Sequence, residues 1–443
     1  MTALETTHHR SPSPPVPRPN QLDYQRNRPF AILCHFGINT FYGKEWSDGR
    51  LDPVAFNPSA LDCRQWAATA KQAGASHIIL AAKHHDGFCL WQTETTDYSV
   101  RSSPWRDGRG DVVAELARAC QEADIGPGLY LSPWDRHEPS WSIDHAEYDA
   151  SYLRQLIELC TRYDDLVEVW EVWEVWFDGA GSDEHAYDCD AIMNVVYTHQ
   201  PGAMIFNMGR PTVRWVGNED GLAADPCWYP VDDGGQPLLI DEARDPMVRS
   251  TYLPPECDVA IRRHWFWQSD DLDTLKSVDH LLAIWYRSVG SGANLLLNVP
   301  ADRERLLGFA GVLKQRFKDP YAAKIVRSES SVTATFDRPD RPVRIDHLIL
   351  REAIESGQRI GRHRVVSAAG EILVDDVFTV SSQRVHAFPA IETDSLRIEL
   401  DDPHAELISV EGYLTGVETL PSLEVQPALM IGKVDAARML PGG

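Results

Sequence analysis

The chain has no CxxC pair and no dense cysteine framework. Its eight cysteines stand singly at 34, 63, 89, 120, 160, 189, 227 and 257, and none follows Cys257. This spacing excludes a disulfide-stapled scaffold and a cysteine zinc site, and it predicts reduced, buried thiols. A basic cluster is missing too. Lys and Arg total 42 against 66 Asp and Glu, a formal charge of −24. Nucleic-acid and anionic-membrane partners are therefore not expected, because both require a cationic surface. No apolar run approaches the roughly 18 residues of a membrane span. The opening, MTALETTHHRSPSPPVPRPN, lacks the basic-then-apolar pattern of a secretory leader, so a cytoplasmic location is expected. A glycine-rich phosphate loop is also absent, which argues against a doubly wound nucleotide-binding sheet.

What is present is a packable composition, 43% apolar, with 14 tryptophans. Excess indole serves cores and interfaces, and carbohydrate sites also use flat apolar faces. At 443 residues the chain fits one large domain plus a smaller one. Residues 1–22 carry five prolines between Pro12 and Pro19 and read as a flexible arm, with His8 and His9 solvated.

Over residues 23–326, strands and helices alternate. Strands are expected at Ala31–Ile38, His77–Ala82, Gly128–Ser132, a stretch ending at Phe177, Ala203–Asn207 and Asn294–Val299. Helices are expected at Leu61–Ala73, Asp111–Ala123 (capped by its aspartate), Ser277–Val289 and Arg305–Phe317. Repeated strand-then-helix units predict a parallel sheet closed as a (β/α)8-type, TIM-like barrel. From residue 327 to 416 the segments VTATF, VRIDHLIL, DVFTV, SLRIEL and ELISVEGY are short and β-branched, with turn residues between them. They predict a C-terminal antiparallel β-sandwich that buttresses the barrel, followed by a weakly patterned tail at 417–443.

Residues 168–176 read EVWEVWEVW, a tandem triplet that suits neither strand nor helix. Six extra residues are an even number, so they leave the face on which Asp178 emerges unchanged. The surplus is expected to be absorbed before the strand, near Asp164–Glu171.

Four motifs, HFGINTFYGKEW, AKHHDGFCLW, GLYLSPWDRH and VWFDGAG, each open on an apolar run and close on histidine, carboxylate or indole. They recur at intervals of roughly 45 residues, as when successive barrel strands deliver polar side chains to one rim. Asp178 ends an apolar stretch before a Gly-Ala-Gly. Alone it reads more often as a turn residue or helix cap than as a catalytic group, and Glu219 in RWVGNEDG as a surface acid. Asp86 is expected to brace its loop. His84, His85 and Asp86 raise the question of a metal. Neighbours on a strand point to opposite faces, so both histidines reach one centre only if the strand has ended.

These motifs, with PPECDVAIR, WFW and GANLLLNVP, occur in an order that resembles the α-L-fucosidases of glycoside hydrolase family 29, over about residues 28–318. NTF…EW and RWVGNE…G resemble the branch acting on α-1,3/4-linked fucose. The resemblance implies a cofactor-free, exo-acting, retaining hydrolase of fucosylated oligosaccharides or glycoconjugates. It implies Asp178 as nucleophile and Glu219 as general acid/base, about 5–5.5 Å apart. It places His35, Glu45, Trp46, His84, His85, Tyr130, Trp176 and Arg214 around the sugar, with the Trp46 and Trp176 faces toward the fucose methyl. A non-catalytic glycan-binding protein on the same fold is the competing expectation, because the family has one EVW-like unit where this chain has three.

Overall fold

Eight short parallel strands close into a ring. They are β1 Phe30–Cys34, β2 His77–Lys83, β3 Gly126–Leu131, β4 Glu174–Trp176, β5 Met204–Phe206, β6 Arg214–Trp215, β9 Pro255–Ala260 and β10 Asn294–Asn298. Their order is β5-β4-β3-β2-β1-β10-β9-β6. A parallel bridge between Phe206 and Val213 joins the two ends. Between β6 and β9 lies a small antiparallel ladder, β7 Pro230–Val231 with β8 Thr251–Tyr252. The computed structural model describes residues 14–167, 170–181, 185–231, 251–300, 302–336 and 342–423.

The ring is the expected TIM-like barrel, with two departures. The chain passes from β5 to β6 through a loop, with no helix between them. In addition, β6 and β9 were not foreseen. Two carboxylates, Glu256 and Asp258, interrupt the apolar run of β9, and β6 is only two residues long. The expected helices form at Cys63–Ala73, Val112–Ala123, Val278–Arg287 and Arg303–Arg316. Asp111 caps the second of these through Ala114 N at 2.8 Å. The first strand stops at Cys34, short of Ile38, where a turn at Gly37 starts the short helix Ile38–Tyr42.

Alternation along the strands sorts the barrel. Ala31, Leu33, Ile79, Ala81, Tyr130, Trp176, Met204, Phe206 and Leu296 fill the interior, and Ile32, Ile78, Leu80, Leu129 and Val175 pack outward against the helices. Both faces are dry, which is why these strands read as continuous apolar runs.

Residues 19–22, expected within the arm, are helical. Pro19–Asn27 is a helix, and Gln21 donates to the Thr212 and Tyr252 carbonyls at 2.8 Å while Tyr24 enters the barrel. The antiparallel sheet likewise begins before residue 327. Its strands are β11 Tyr321–Arg327, β12 Ser331–Phe336, β13 Val343–Glu352, β14 Arg362–Ser367, β15 Ile372–Phe378, β16 Arg384–Thr393, β17 Ser395–Leu400 and β18 Leu407–Tyr413. β11 pairs with β12 and β18, so it belongs to this second, eight-stranded sheet. All eight cysteines are free thiols, and seven of them are buried.

Among the described residues of the EVW repeat, only the third triplet is strand. The second is a connector held by Gln200, which accepts from Val172 N at 2.9 Å and donates to the Cys160 and Trp170 carbonyls at 2.8 and 3.2 Å. Glu168 and Val169 lie outside the described residues. Trp173 is stacked by the Arg28 guanidinium at 3.6 Å.

Glu174 therefore points into the barrel, where it meets Glu256. Tyr24 and Trp176 donate to Glu256, the latter at 2.9 Å, and His77 lies 3.0 Å from Glu174. Burial raises both carboxyls to about 8. The folded state then holds more protons than the unfolded one between pH 4.5 and 8, so this pair's contribution to stability is lost as pH rises through that window. Each proton released corresponds to a limiting slope of about 1.4 kcal/mol per pH unit. Denaturant titrations from pH 5 to 9 should show a clearly flatter alkaline decline for Glu256→Gln than for the parent. Equal slopes would contradict the assignment.

Candidate active site

The strand ends open on one rim, where alternation decides which side chains enter. From β4, Trp176 points inward, and the rim position two residues on is Asp178. Its Oδ2 accepts from Tyr130 Oη at 2.9 Å and its Oδ1 from Ala180 N at 2.8 Å. Tyr130 itself is fully buried. Burial and then the Asp178 charge hold its hydroxyl well above the usual range, so it remains a neutral donor. Trp176 lies beneath, 5% exposed, stacked between Tyr130 and Phe206 at 5.3 and 4.2 Å. It forms a floor under the aspartate.

From β2, the register against β3 shifts between Ala81 and Lys83. The strand ends there, and this is how both adjacent histidines reach the site. Lys83 turns outward to Asp135 at 2.9 Å. His84 stacks on Tyr130 at 5.8 Å, and His85 Nε2 lies 3.5 Å from Asp178 Oδ2. Ser132 donates its own hydrogen to the Trp134 carbonyl at 2.6 Å, so it accepts from His85 Nδ1 at 2.7 Å. Nε2 of His85 is thereby left as an acceptor. The same logic fixes His35. Asn298 donates to the Trp265 carbonyl at 2.8 Å and accepts from His35 Nδ1 at 3.0 Å. Burial lowers His35 to about 4 and also lowers His84 and His85, so all three rings are neutral near pH 7. They offer lone pairs to hydroxyl groups.

The loop after β1 brings Glu45 and Trp46. Glu45 accepts from Trp265 N at 3.0 Å and lies 3.5 Å from His264, raising that imidazole's pKa. Trp46 stands edge-on to His85 and Trp134 at 5.3 and 5.5 Å. Asp86 braces this loop through Asn39 at 3.0 Å, and Asn39 also donates to the Glu45 carbonyl at 3.2 Å. Gly181 makes room for a neighbouring indole. It has φ +70°, and a Cβ there would fall 2.2 Å from the Trp134 ring.

Glu219 arrives on the loop after β6. Asp220 bridges to Val259 of β9, and Asn218 accepts from Asp220 N at 3.1 Å. Gly221 has φ +74°, and a Cβ there would sit 2.8 Å from Ile284 and Val259. Glu219 is solvent-exposed at the cleft mouth. Crowding by protein and then the Asp178 charge raise it to about 7, against an opposing hydrogen bond from Trp265. Two carboxyls thus face one cleft, and the proton of Glu219 is held more tightly than that of an ordinary glutamic acid.

His35, Glu45, Trp46, His84, His85, Tyr130, Asp178 and Glu219 therefore border one cleft, with Trp176 below it. Arg214 lies apart. It pairs in register with Pro255 at the start of β9, and its guanidinium donates to the Trp228 carbonyl at 2.9 Å. It stands in the barrel wall, in the two-residue strand β6. Trp134, Trp265, Phe266 and Asn298 were missed as site residues. Asn298 carried a usable signal, a polar residue closing an apolar strand. Among the described residues, no group of three or more His, Cys, Asp or Glu is placed to hold a metal ion.

A parallel barrel with a hydrogen-bonded aspartate, a second carboxyl biased toward its acid form, and imidazole and indole walls is the arrangement of a glycoside hydrolase. Comparison with known proteins narrows the class. The family profile described as alpha-L-fucosidase matches residues 35–308. The chain is 44% identical to alpha-L-fucosidase 1 of Arabidopsis thaliana over 303 residues, 68% of this chain and 58% of that protein. The crystal structure of SpGH29 superposes with a TM-score of 0.81 at 31% identity, covering 91% of this chain and all of that one (100%). A Ruminococcus gnavus GH29 fucosidase in complex with fucose gives 0.78 at 27% identity, covering 93% and 97%. The chain belongs to the alpha-L-fucosidase family, GH29.

The walls are tied together by buried charge. Asp135 also accepts from His137 N and Glu138 N at 3.0 Å, and the Lys83 ammonium lies 5.1 Å from the Tyr152 ring. Removing one partner leaves the other charge buried and uncompensated. Lys83→Met should lower unfolding free energy by about 3–5 kcal/mol in urea titrations. A loss below about 1 kcal/mol would show that the pair is not structurally important.

Proposed function

We propose that this chain is an exo-acting, retaining hydrolase of terminal α-1,3/1,4-linked fucose on branched glycans, with Asp178 as nucleophile and Glu219 as general acid/base. The observation that carries this reading is a hydrogen-bonded aspartate sharing a cleft with a carboxyl biased toward its acid form. Asp178 is held in place by Tyr130 and Ala180, and Glu219 is pushed up to about 7 beside it. An acid that protonates the leaving oxygen must hold its proton near working pH. The linkage reading rests on NTF…EW and RWVGNE…G.

In this reading the cycle has two steps. Asp178 attacks the anomeric carbon as Glu219 gives its proton to the departing oxygen. The resulting ester removes the negative charge from Asp178, and with it one cause of the raised Glu219 pKa. Glu219 then becomes the stronger acid, and its carboxylate is set to take a proton from incoming water. The neutral His35, His84 and His85 rings accept from sugar hydroxyls, and Trp46 and Trp134 provide apolar walls.

Asp178→Ala should lower kcat/KM on a fucosylated trisaccharide by about a thousandfold or more. Retained turnover in that variant would remove Asp178 from the mechanism. NMR of the first-formed sugar should show the α anomer. Loss of the Glu219 proton should make kcat/KM decline above about pH 7, and Glu219→Gln should abolish that limb along with most activity toward poor leaving groups. A limb that persists in Glu219→Gln would assign the acid elsewhere.

A further inference from the structure

The barrel end where the strands begin meets the antiparallel domain, and a recess of about 200 Å3 lies at that junction. Its volume exceeds the ~150 Å3 that admits benzene. The cleft is at the other end of the barrel, where the strands finish. Pro29 and Ala293, the residues just before β1 and β10, give the recess an apolar wall. Gln25 and Arg26 reach it from the helix Pro19–Asn27, and Arg351 and Gln383 from the antiparallel domain. Two guanidinium groups and no carboxylate line it, in a chain of net charge −24.

What the recess offers is hydrogen-bond donors. Gln25 is 3% exposed, and its Oε1 accepts from Tyr252 Oη at 2.6 Å. That bond orients the carboxamide, and its Nε2 is buried with no acceptor among the described residues. Arg26 pairs through Nη2 with Glu355 at 2.7 Å, and its Nε is likewise buried without an acceptor. Arg351 donates to Gln383 Oε1 at 3.1 Å and to Ser409 Oγ at 3.2 Å, and it pairs with Glu411 at 2.9 Å. The contact to Gln383 occupies that amide's oxygen and leaves its N–H groups. Buried donors without acceptors are rare in native proteins, because the lost bond to water is not replaced. Here two stand on adjacent residues of one wall. Water supplies two lone pairs and no charge. A carboxylate or phosphate supplies several lone pairs on one group, and its charge strengthens each bond.

The geometry points to a binding site for a small oxyanion, a carboxylate or a phosphate, held by Gln25 Nε2 and Arg26 Nε and flanked by Arg351. A short apolar body on the same ligand packs against Pro29 and Ala293. The site is separate from the hydrolytic cleft and does not depend on which glycan is cleaved. An occupant touches both domains, so it favours their docked arrangement by binding the folded state alone.

The test is calorimetric titration with inorganic phosphate and with propionate, at ionic strength held constant with chloride. At least one of the two should bind the parent. Its Kd should rise about tenfold or more in Gln25→Glu, which keeps the acceptor for Tyr252 and replaces the donor by an oxygen, and in Arg26→Gln. Binding of phosphate alone assigns a phosphate compound to the site, and binding of propionate alone assigns a carboxylate. Should Gln25→Glu fail to fold, Arg26→Gln decides by itself, since the Glu355 side chain is 46% exposed and stays solvated when its partner is removed. Absence of binding by both anions in the parent overturns the site. Binding that persists unchanged in the folded variants is adventitious and overturns it too.

Discussion

A closed ring of parallel strands gives every second side chain to an interior that water does not enter, and the chemistry of this protein depends on that constraint. In the lower layer it encloses Glu174 and Glu256, whose charge burial suppresses. The middle layer is aromatic, with Tyr130, Trp176 and Phe206 stacked. At the rim, alternation together with strand termination releases Asp178, His35 and the His84–His85 pair. The three layers communicate by contact. Glu256 fixes the Trp176 indole, Trp176 supports Tyr130, and Tyr130 holds Asp178.

Position in this ring also sets the different surroundings of the two carboxyls. Asp178 has a hydroxyl and a backbone N–H as donors. Glu219, a few strands away, has crowding and the negative charge of Asp178 against it. The histidines are neutral because they are buried, and their tautomers are set by neighbours that have already spent their hydrogens. Ser132 does this for His85 and Asn298 for His35. A binding surface of acceptors results, suited to a small polyhydroxylated ring.

Rigidity comes from ties between loops that are distant in sequence. Lys83 to Asp135, Asn39 to Asp86 and Glu45 to Trp265 each cross between separate strand-end loops. Gln200 secures the connector of the tandem EVW segment, and among the described residues of that segment only the last triplet joins the sheet.

By itself the sequence determined the alternation of strand and helix, the change to an antiparallel domain, the reduced thiols and the set of polar residues closing apolar strands. These are local patterns of spacing and composition, and they survive without knowledge of distant contacts. It could not reveal β6, too short to leave a period, or β9, whose inward Glu256 and Asp258 break the apolar run that marks a barrel strand. Only the tertiary structure decided that both histidines after β2 face one cleft, because a register shift against β3 ends that strand at Lys83. Only it decided which carboxyl is crowded and which is hydrogen-bonded, because proton affinity depends on burial and on charges brought close from elsewhere in the chain.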